Sequence, residues 1–170
     1  QKIFGDLYEV NENKALTLSY LTSYLIGKEL KEIGIDVNFS PVCDLLFDNA
    51  HEIIGNRSFG KNPETVKKLV SQYCKGLTDS GVFPVLKHYP GHGRSKKDTH
   101  NDVSCIRTDL NTLKKTDLIP FLYLKNETFV MLAHITYPGI ELEIATYSKE
   151  INKLLRDYNS FKGLIITDDI

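Results

Sequence analysis

The feature that most constrains this chain is a fourfold alternation between amphipathic stretches and short runs that are apolar almost throughout. Residues 13–33 place Leu16, Tyr20, Leu21, Tyr24, Leu25 and Leu30 at helical spacing and stop at Gly34, the pattern of an amphipathic helix. A strand follows over 35–42, ending near Pro41. Asn62 then stands as a helix N-cap with Pro63 at the first helical position, and Val66, Leu69, Val70, Tyr73 and Leu77 share one face. Beyond it the sequence predicts a strand at 82–86, a Gly-rich polar loop over 89–102 and a helix between 109 and 124. A strand over 128–135, a helix over 148–158 with Ile151, Leu154 and Leu155 inward, and a strand over 163–167 complete the series. Strands that are apolar on both faces and separated by helices belong in a parallel sheet covered on both sides. Four such units make half of a closed eight-stranded barrel or a small doubly wound sheet. Because the last residues, Asp168-Asp169-Ile170, come just off an apolar strand, we expect a segment of a longer domain; four units alone would leave open sheet edges.

Composition narrows the function classes. The 170 residues are 41% hydrophobic and 25% charged, an ordinary globular balance with enough apolar side chains for one sizeable core. A formal net charge of −1 speaks against a general nucleic-acid binder, which carries a basic patch or stripe. The pairs Lys67-Lys68, Lys96-Lys97 and Lys114-Lys115 read as solvated faces. No apolar run approaches the roughly 20 residues of a membrane span, and the opening Gln1-Lys2-Ile3-Phe4 lacks the features of a signal peptide. Cys43, Cys74 and Cys105 are odd in number, far apart and free of CxxC spacing. A disulfide framework or a Cys-based zinc site is therefore not expected, and a reducing, cytoplasmic setting is.

In parallel α/β architectures chemistry gathers at the C-terminal ends of the strands, and here each strand is followed by ionisable residues. Asp44 follows the first; Lys87 and His88 follow the second and lead into Tyr89-Pro90-Gly91-His92-Gly93; His134 ends the third; Asp168 and Asp169 end the fourth. Lys87 to His100 is the densest segment, with His88, His92, Asp98 and His100 inside fourteen residues. An aspartate two residues before a histidine can accept from one ring nitrogen, fixing the tautomer and raising the basicity of the other. That makes His100 a candidate proton shuttle, with Asp98 behind it. Of the adjacent Asp168 and Asp169, at most one points into a barrel mouth, since neighbouring strand residues alternate. There it can serve as nucleophile or stabilise developing positive charge.

Five segments in order resemble the glycoside hydrolase family 3 β-N-acetylglucosaminidases: Asn38-Phe39-Ser40-Pro41-Val42-Cys43-Asp44, Ile54-Gly55-Asn56-Arg57-Ser58-Phe59, Lys87 to Gly93 with Asp98-Thr99-His100, Met131 to Pro138, and Ile166 to Ile170. The resemblance covers roughly residues 38–170. It implies a TIM (β/α)8 barrel, of which this chain is the central part, about four β/α units lacking the first and last. It also implies a retaining exo-hydrolase of terminal β-linked GlcNAc, acting on a glycan or muropeptide in peptidoglycan recycling, with no cofactor or metal. By alignment Asp168 is the nucleophile, His100 the general acid/base and Asp98 its dyad partner. Arg57, Lys87 and His88 align with ligands of the sugar hydroxyls, while Asp44, His92 and His134 sit beside them in the substrate-binding group. Retaining hydrolysis needs a nucleophile on one side of the sugar and a proton donor on the other. Family 3 β-glucosidases share the Lys-His pair but take their acid from another domain. This chain departs from the family in the basic run Arg94-Ser95-Lys96-Lys97, which suits an anionic aglycone.

Three other readings remain open at this point. His88, His92 and His100 with Asp98 have ligand types that suit zinc and a metal-dependent hydrolase. A catalytically silent carbohydrate-binding barrel would keep the same shape. A phosphorylase would use the same residues and pass the sugar to phosphate, because a histidine acid tolerates an anionic acceptor.

Overall fold

The structure, a computed structural model, describes residues 1–48, 50, 52–96, 104–123 and 129–168. Helices α1 (Lys2–Tyr8) and α2 (Glu12–Glu32) precede the first strand, and α1 has no counterpart in the sequence expectation. Asn11 caps α2 by accepting from the Lys14 N–H at 2.9 Å. A short strand β1 (Val37–Asn38) leads to a 3-10 turn at Gly55–Arg57 and then to α3 (Pro63–Asp79). The Asn62 side chain accepts from the Glu64 and Thr65 N–H groups, with Pro63 where its missing donor costs nothing. β2 (Phe83–Tyr89), β3 (Ser104–Cys105), α4 (Leu110–Lys115), β4 (Phe129–Leu132), β5 (Ile135–Tyr137), β6 (Glu141–Ile144), α5 (Lys149–Asp157) and β7 (Leu164–Thr167) follow.

β1, β2, β4 and β7 form one parallel sheet in that order, the arrangement of consecutive β/α units wound in one direction. Their registers run Val37↔Phe83, Val85↔Phe129 and Phe129↔Leu164. The core lies between this sheet and α3, where Val66, Leu69, Val70, Cys74 and Leu77 are buried with Leu86, Tyr89, Val130 and Leu132 of the strands. Burial of such side chains is worth about 1.5–3 kcal/mol each, which fixes which face of α3 turns inward.

Four elements depart from the sequence expectation. The first strand is two residues plus a bridge at Val42↔Lys87 rather than all of 35–42, because the chain turns at Ser40-Pro41. β2 runs on to Tyr89 rather than ending at Leu86, so Lys87 and His88 lie within the strand. The helix expected over 109–124 stops at Lys115 and resumes as a 3-10 helix at Ile119–Tyr123; Pro120 denies the backbone donor that a continuous α-helix needs. The strand expected over 128–135 ends at Leu132, and the chain passes through Ala133 and His134 into a second, three-stranded sheet of order β3-β5-β6.

The helix α2 carries its own correction. Leu21 and Leu25 set its hydrophobic period yet are 44% and 61% exposed, whereas Ala15, Ser19, Ser23 and Gly27 are buried. Small residues every fourth position let the α2 backbone approach α3 closely. A Cβ on Gly76 would lie 2.1 Å from Ser23 Oγ and 2.3 Å from the Tyr20 carbonyl oxygen, and Ser19 Oγ donates to the Leu69 carbonyl at 3.1 Å. Among the described residues no helix is long and apolar enough to cross a membrane.

Candidate active site

The site grows from the C-terminal ends of the parallel strands. Pairing holds those ends level. Cys43 N–H donates to the Lys87 carbonyl at 2.6 Å, Ala133 N–H to Tyr89 at 2.8 Å, and Asp168 N–H to Leu132 at 3.2 Å. Asp44, Lys87–His88, Ala133–His134 and Asp168 therefore arrive at one edge of the sheet, as expected for the mouth of a barrel.

At the centre is a fully buried carboxylate. The Asp44 side chain has no exposed surface, and its oxygens accept from His92 N–H at 2.6 Å, from His88 N–H at 3.2 and 3.3 Å and from His88 Nδ1 at 2.7 Å. Burial alone pushes this carboxyl up. The His88 and His92 rings and their hydrogen bonds outweigh burial and hold it below the usual aspartate range. An ionised Asp44 accepts at Nδ1, so the His88 proton sits there and Nε2 is left as an acceptor. The neighbouring His92 ring lies edge-on to His88 with centroids 5.3 Å apart. Asp44, expected among the substrate ligands, is thus sealed from solvent and acts on the site through the two histidines. Gly93 closes this hub, because a Cβ there would fall 1.8 Å from the Leu45 carbonyl oxygen.

Charge joins the remaining groups. Burial lowers the Lys87 ammonium from its ordinary value and the Arg57 guanidinium lowers it further, while Asp168 and Asp44 pull it back up. Burial also pushes the His92 imidazole down, outweighing Asp44 and Asp168. Asp168 is therefore within electrostatic reach of both Lys87 and His92. Lys87 Nζ sits 5.9 Å over the Phe39 ring, and Arg57, on its 3-10 turn, donates from Nη1 to the Ile53 carbonyl at 3.1 Å. Lys87, Arg57, Asn56, Glu52 and Phe39 line an open cleft of about 580 Å³. His134 sits between β4 and β5, edge-on to Tyr147 at 6.4 Å; among the described residues its buried Nδ1 has no hydrogen-bond partner. Asp98 and His100 lie outside the described residues, as does Asp169. Among the described residues no three His, Cys, Asp or Glu side chains are grouped to hold a metal ion, though His100 of the histidine trio is not among them.

The pattern of the glycosyl hydrolase family 3 N-terminal domain matches residues 8–170. The chain belongs to that family. A β-hexosaminidase of Stenotrophomonas maltophilia (strain K279a) is 36% identical over 169 residues, 98% of this chain and 50% of the relative. NagZ from Neisseria gonorrhoeae, solved in complex with N-trifluoroacetyl-D-glucosamine, superposes with a TM-score of 0.92 at 34% identity over 99% of this chain and 50% of that one. The β-N-acetylglucosaminidase from Thermotoga maritima gives a TM-score of 0.80 at 32% identity over 90% of this chain and 33% of that one. The chain spans about half the length of the curated relatives it matches. The four-stranded parallel sheet is accordingly a fragment of a family 3 TIM-type barrel, the one of the two folds left open by the strand pattern that the resemblance implies.

Several residues around the site were not anticipated. Arg94, read as part of a basic run facing an anionic aglycone, instead donates from Nε to both Asp117 oxygens at 2.9 and 3.2 Å and from Nη2 to Thr116 Oγ1 at 3.1 Å. Its guanidinium lies 4.0 Å over the Phe47 ring. Asp117 is buried, which raises its carboxyl above the ordinary range despite Thr116 and Arg94. Tyr137 donates its hydroxyl to the Gly91 carbonyl at 2.9 Å, and Ser95 and Ser104 share a buried hydroxyl–hydroxyl bond of 2.7 Å. Their sequence separations, from 9 to 46 residues, carry no local signal.

Proposed function

We propose that the protein containing this chain is a retaining β-N-acetylglucosaminidase and that these residues form the central β/α units of its catalytic barrel. The observation that carries the reading is Asp168: a carboxylate at the end of a barrel strand whose charge acts on Lys87 and His92 beside the Arg57–Lys87 cleft. Support also comes from NagZ of Neisseria gonorrhoeae, which was solved with an N-acylglucosamine.

In this reading the sugar enters the cleft with its hydroxyls against Arg57 and Lys87. Lys87 donates to a hydroxyl oxygen, and His88 Nε2, set as an acceptor by Asp44, accepts a hydrogen bond from a hydroxyl. A hydroxyl bracketed in this way is read in both of its hydrogen-bonding roles. The Asp168 carboxylate attacks the anomeric carbon, the glycosidic C–O bond breaks, and His100, backed by Asp98, protonates the departing oxygen. Water, deprotonated by the same His100, then cleaves the glycosyl–Asp168 ester and restores the original anomeric configuration. The substrates are glycans or muropeptides ending in β-GlcNAc, as in peptidoglycan recycling, and no step requires a metal or cofactor.

The full-length protein should release 4-nitrophenol from its β-N-acetylglucosaminide, with proton NMR showing the β-anomer as first product. Asp168→Asn should lower kcat by about 10⁴, equivalent to ~5.4 kcal/mol of barrier. An α-anomer as first product, or wild-type turnover in Asp168→Asn, contradicts the reading. Formation of a sugar 1-phosphate in phosphate buffer would assign the same residues to a phosphorylase.

A further inference from the structure

Lys87 stands in the cleft with no counter-ion in contact. Among the described residues its ammonium makes no hydrogen bond or ion pair, and the group facing it is the Phe39 ring, with Nζ 5.9 Å from the centroid. Asp168 and Asp44 reach it only through space, against repulsion from Arg57. Phe39 is not a core residue. It is 55% exposed, lies outside the hydrophobic cluster and lines the same cleft as Arg57 and Lys87. The backbone around it is pinned. Ser40 N–H donates to the Asn38 carbonyl at 2.8 Å, closing a three-residue turn with Phe39 at its centre, and Ser40 Oγ donates to Asn38 Oδ1 at 3.0 Å. The ladder to β2 holds this turn from both sides. Asn38 pairs with Pro84, Val85 N–H donates to the Ser40 carbonyl at 3.0 Å, and Lys87 N–H donates to the Pro41 carbonyl at 3.3 Å. The turn and the lysine therefore ride on neighbouring strands in fixed register, and the ring is delivered to the ammonium instead of to the core.

Resting on the reading of Lys87 as a ligand of a sugar hydroxyl, we propose that Phe39 is a positioning residue whose ring face holds the Lys87 ammonium in the cleft, ready to donate to that hydroxyl. A lysine ammonium is a compact charge on a flexible four-carbon stem, so an unheld one samples many positions and must be ordered each time a sugar binds. The face of an aromatic ring attracts a cation through its quadrupole, more strongly where water is partly excluded. A carboxylate in the same place would also hold the ammonium, but it would compete with the sugar for the lysine's hydrogen bonds. The ring takes none of them, so all three N–H groups stay free for substrate. Leucine at position 39 would keep an apolar side chain in the cleft and lose the attraction.

The test is a double-mutant cycle in the full-length protein, read as kcat/KM toward 4-nitrophenyl β-N-acetylglucosaminide. Phe39→Leu should lower kcat/KM about five- to tenfold, through whichever of kcat and KM Lys87→Met alters. In the Lys87→Met background the same substitution should change kcat/KM by less than about twofold, because the charge on which the ring acts is gone. Replacing Phe39 with its mono-, di- and trifluorinated analogues, which keep the ring's shape and drain its face of electron density, should lower log kcat/KM in steps while Lys87 is present. Equal losses from Phe39→Leu in both backgrounds overturn the proposal, since the ring then serves packing or the sugar itself. A flat fluorination series overturns it too, and stands as a test even where Phe39→Leu disturbs folding. If Lys87→Met loses activity while Phe39→Leu keeps the wild-type rate, the positioning role alone falls. If Lys87→Met itself keeps the wild-type rate, Lys87 is no sugar ligand, and that reading of the cleft falls together with the proposal.

Discussion

Replacing Asp44 perturbs the site at the point where most of its backbone and ring geometry converges. In Asp44→Asn the shape survives, and one amide oxygen still accepts from the His92 and His88 N–H groups. The amide nitrogen, however, replaces an oxygen 2.7 Å from His88 Nδ1, so a charge-assisted bond is lost and the imidazole must switch tautomer. Such a bond is worth about 1.5–3 kcal/mol. Asp44→Ala goes further, leaving two buried N–H donors and a buried ring nitrogen without this acceptor, for about 3–5 kcal/mol. Urea denaturation of the full-length protein, followed by circular dichroism at pH 7, measures both. The pH dependence has a fixed sign. Because the folded-state carboxyl is held below its ordinary value, its stabilising contribution is present above the unfolded pKa of about 3.9 and is lost as pH falls through the folded value. The gap between wild type and Asp44→Asn should therefore be constant near neutrality and narrow below about pH 4. Equal stability of the two at pH 7, or a gap that widens in acid, would refute the argument.

Gly76→Ala should cost about 1–3 kcal/mol in urea midpoint experiments, because its methyl group has no room against Tyr20 and Ser23; an unchanged midpoint would mean that α2 and α3 are farther apart than described. Lys87→Met should lower kcat/KM toward 4-nitrophenyl β-N-acetylglucosaminide about 10–150-fold, the equivalent of one or more charged hydrogen bonds to sugar hydroxyls, with little change in folding stability. Arg57→Ala should raise KM with stability unchanged, since Arg57 is exposed and bonds only locally among the described contacts; a large loss of stability would give it a structural role instead.

Much of the architecture was legible because it follows from local rules. Asn62-Pro63 opens α3 and Ser148 caps α5, accepting from Ile151 N–H at 3.0 Å, as cap chemistry requires. The apolar runs around Val85, Val130 and Ile165 became adjacent parallel strands. What the sequence hid was non-local. Hydrophobic periodicity rewards large side chains, so it pointed to Leu21 and Leu25, whereas close helix approach selects Ala15, Ser19, Ser23 and Gly27. The expected strand stopped at Leu86, short of polar Lys87 and His88, because a strand end that lines a site breaks the apolar rule. Asp44 is 44 residues from the His88 it orients, and Arg94 is 23 from Asp117; nothing in either neighbourhood announces the partner. The candidate site residues were recognisable by type and motif, but which of them face the cleft and which support it emerged only from burial and bonding.

The central claim is that the Asp168 carboxylate becomes bonded to the sugar. Mass spectrometry of the full-length protein, quenched during turnover of a fluorinated GlcNAc donor whose glycosyl–enzyme hydrolyses slowly, measures this directly. The account predicts a peptide containing Asp168 heavier by one fluorinated N-acetylglucosaminyl residue, absent in Asp168→Asn. A label on another side chain, or retention of configuration with no labelled enzyme, would contradict it.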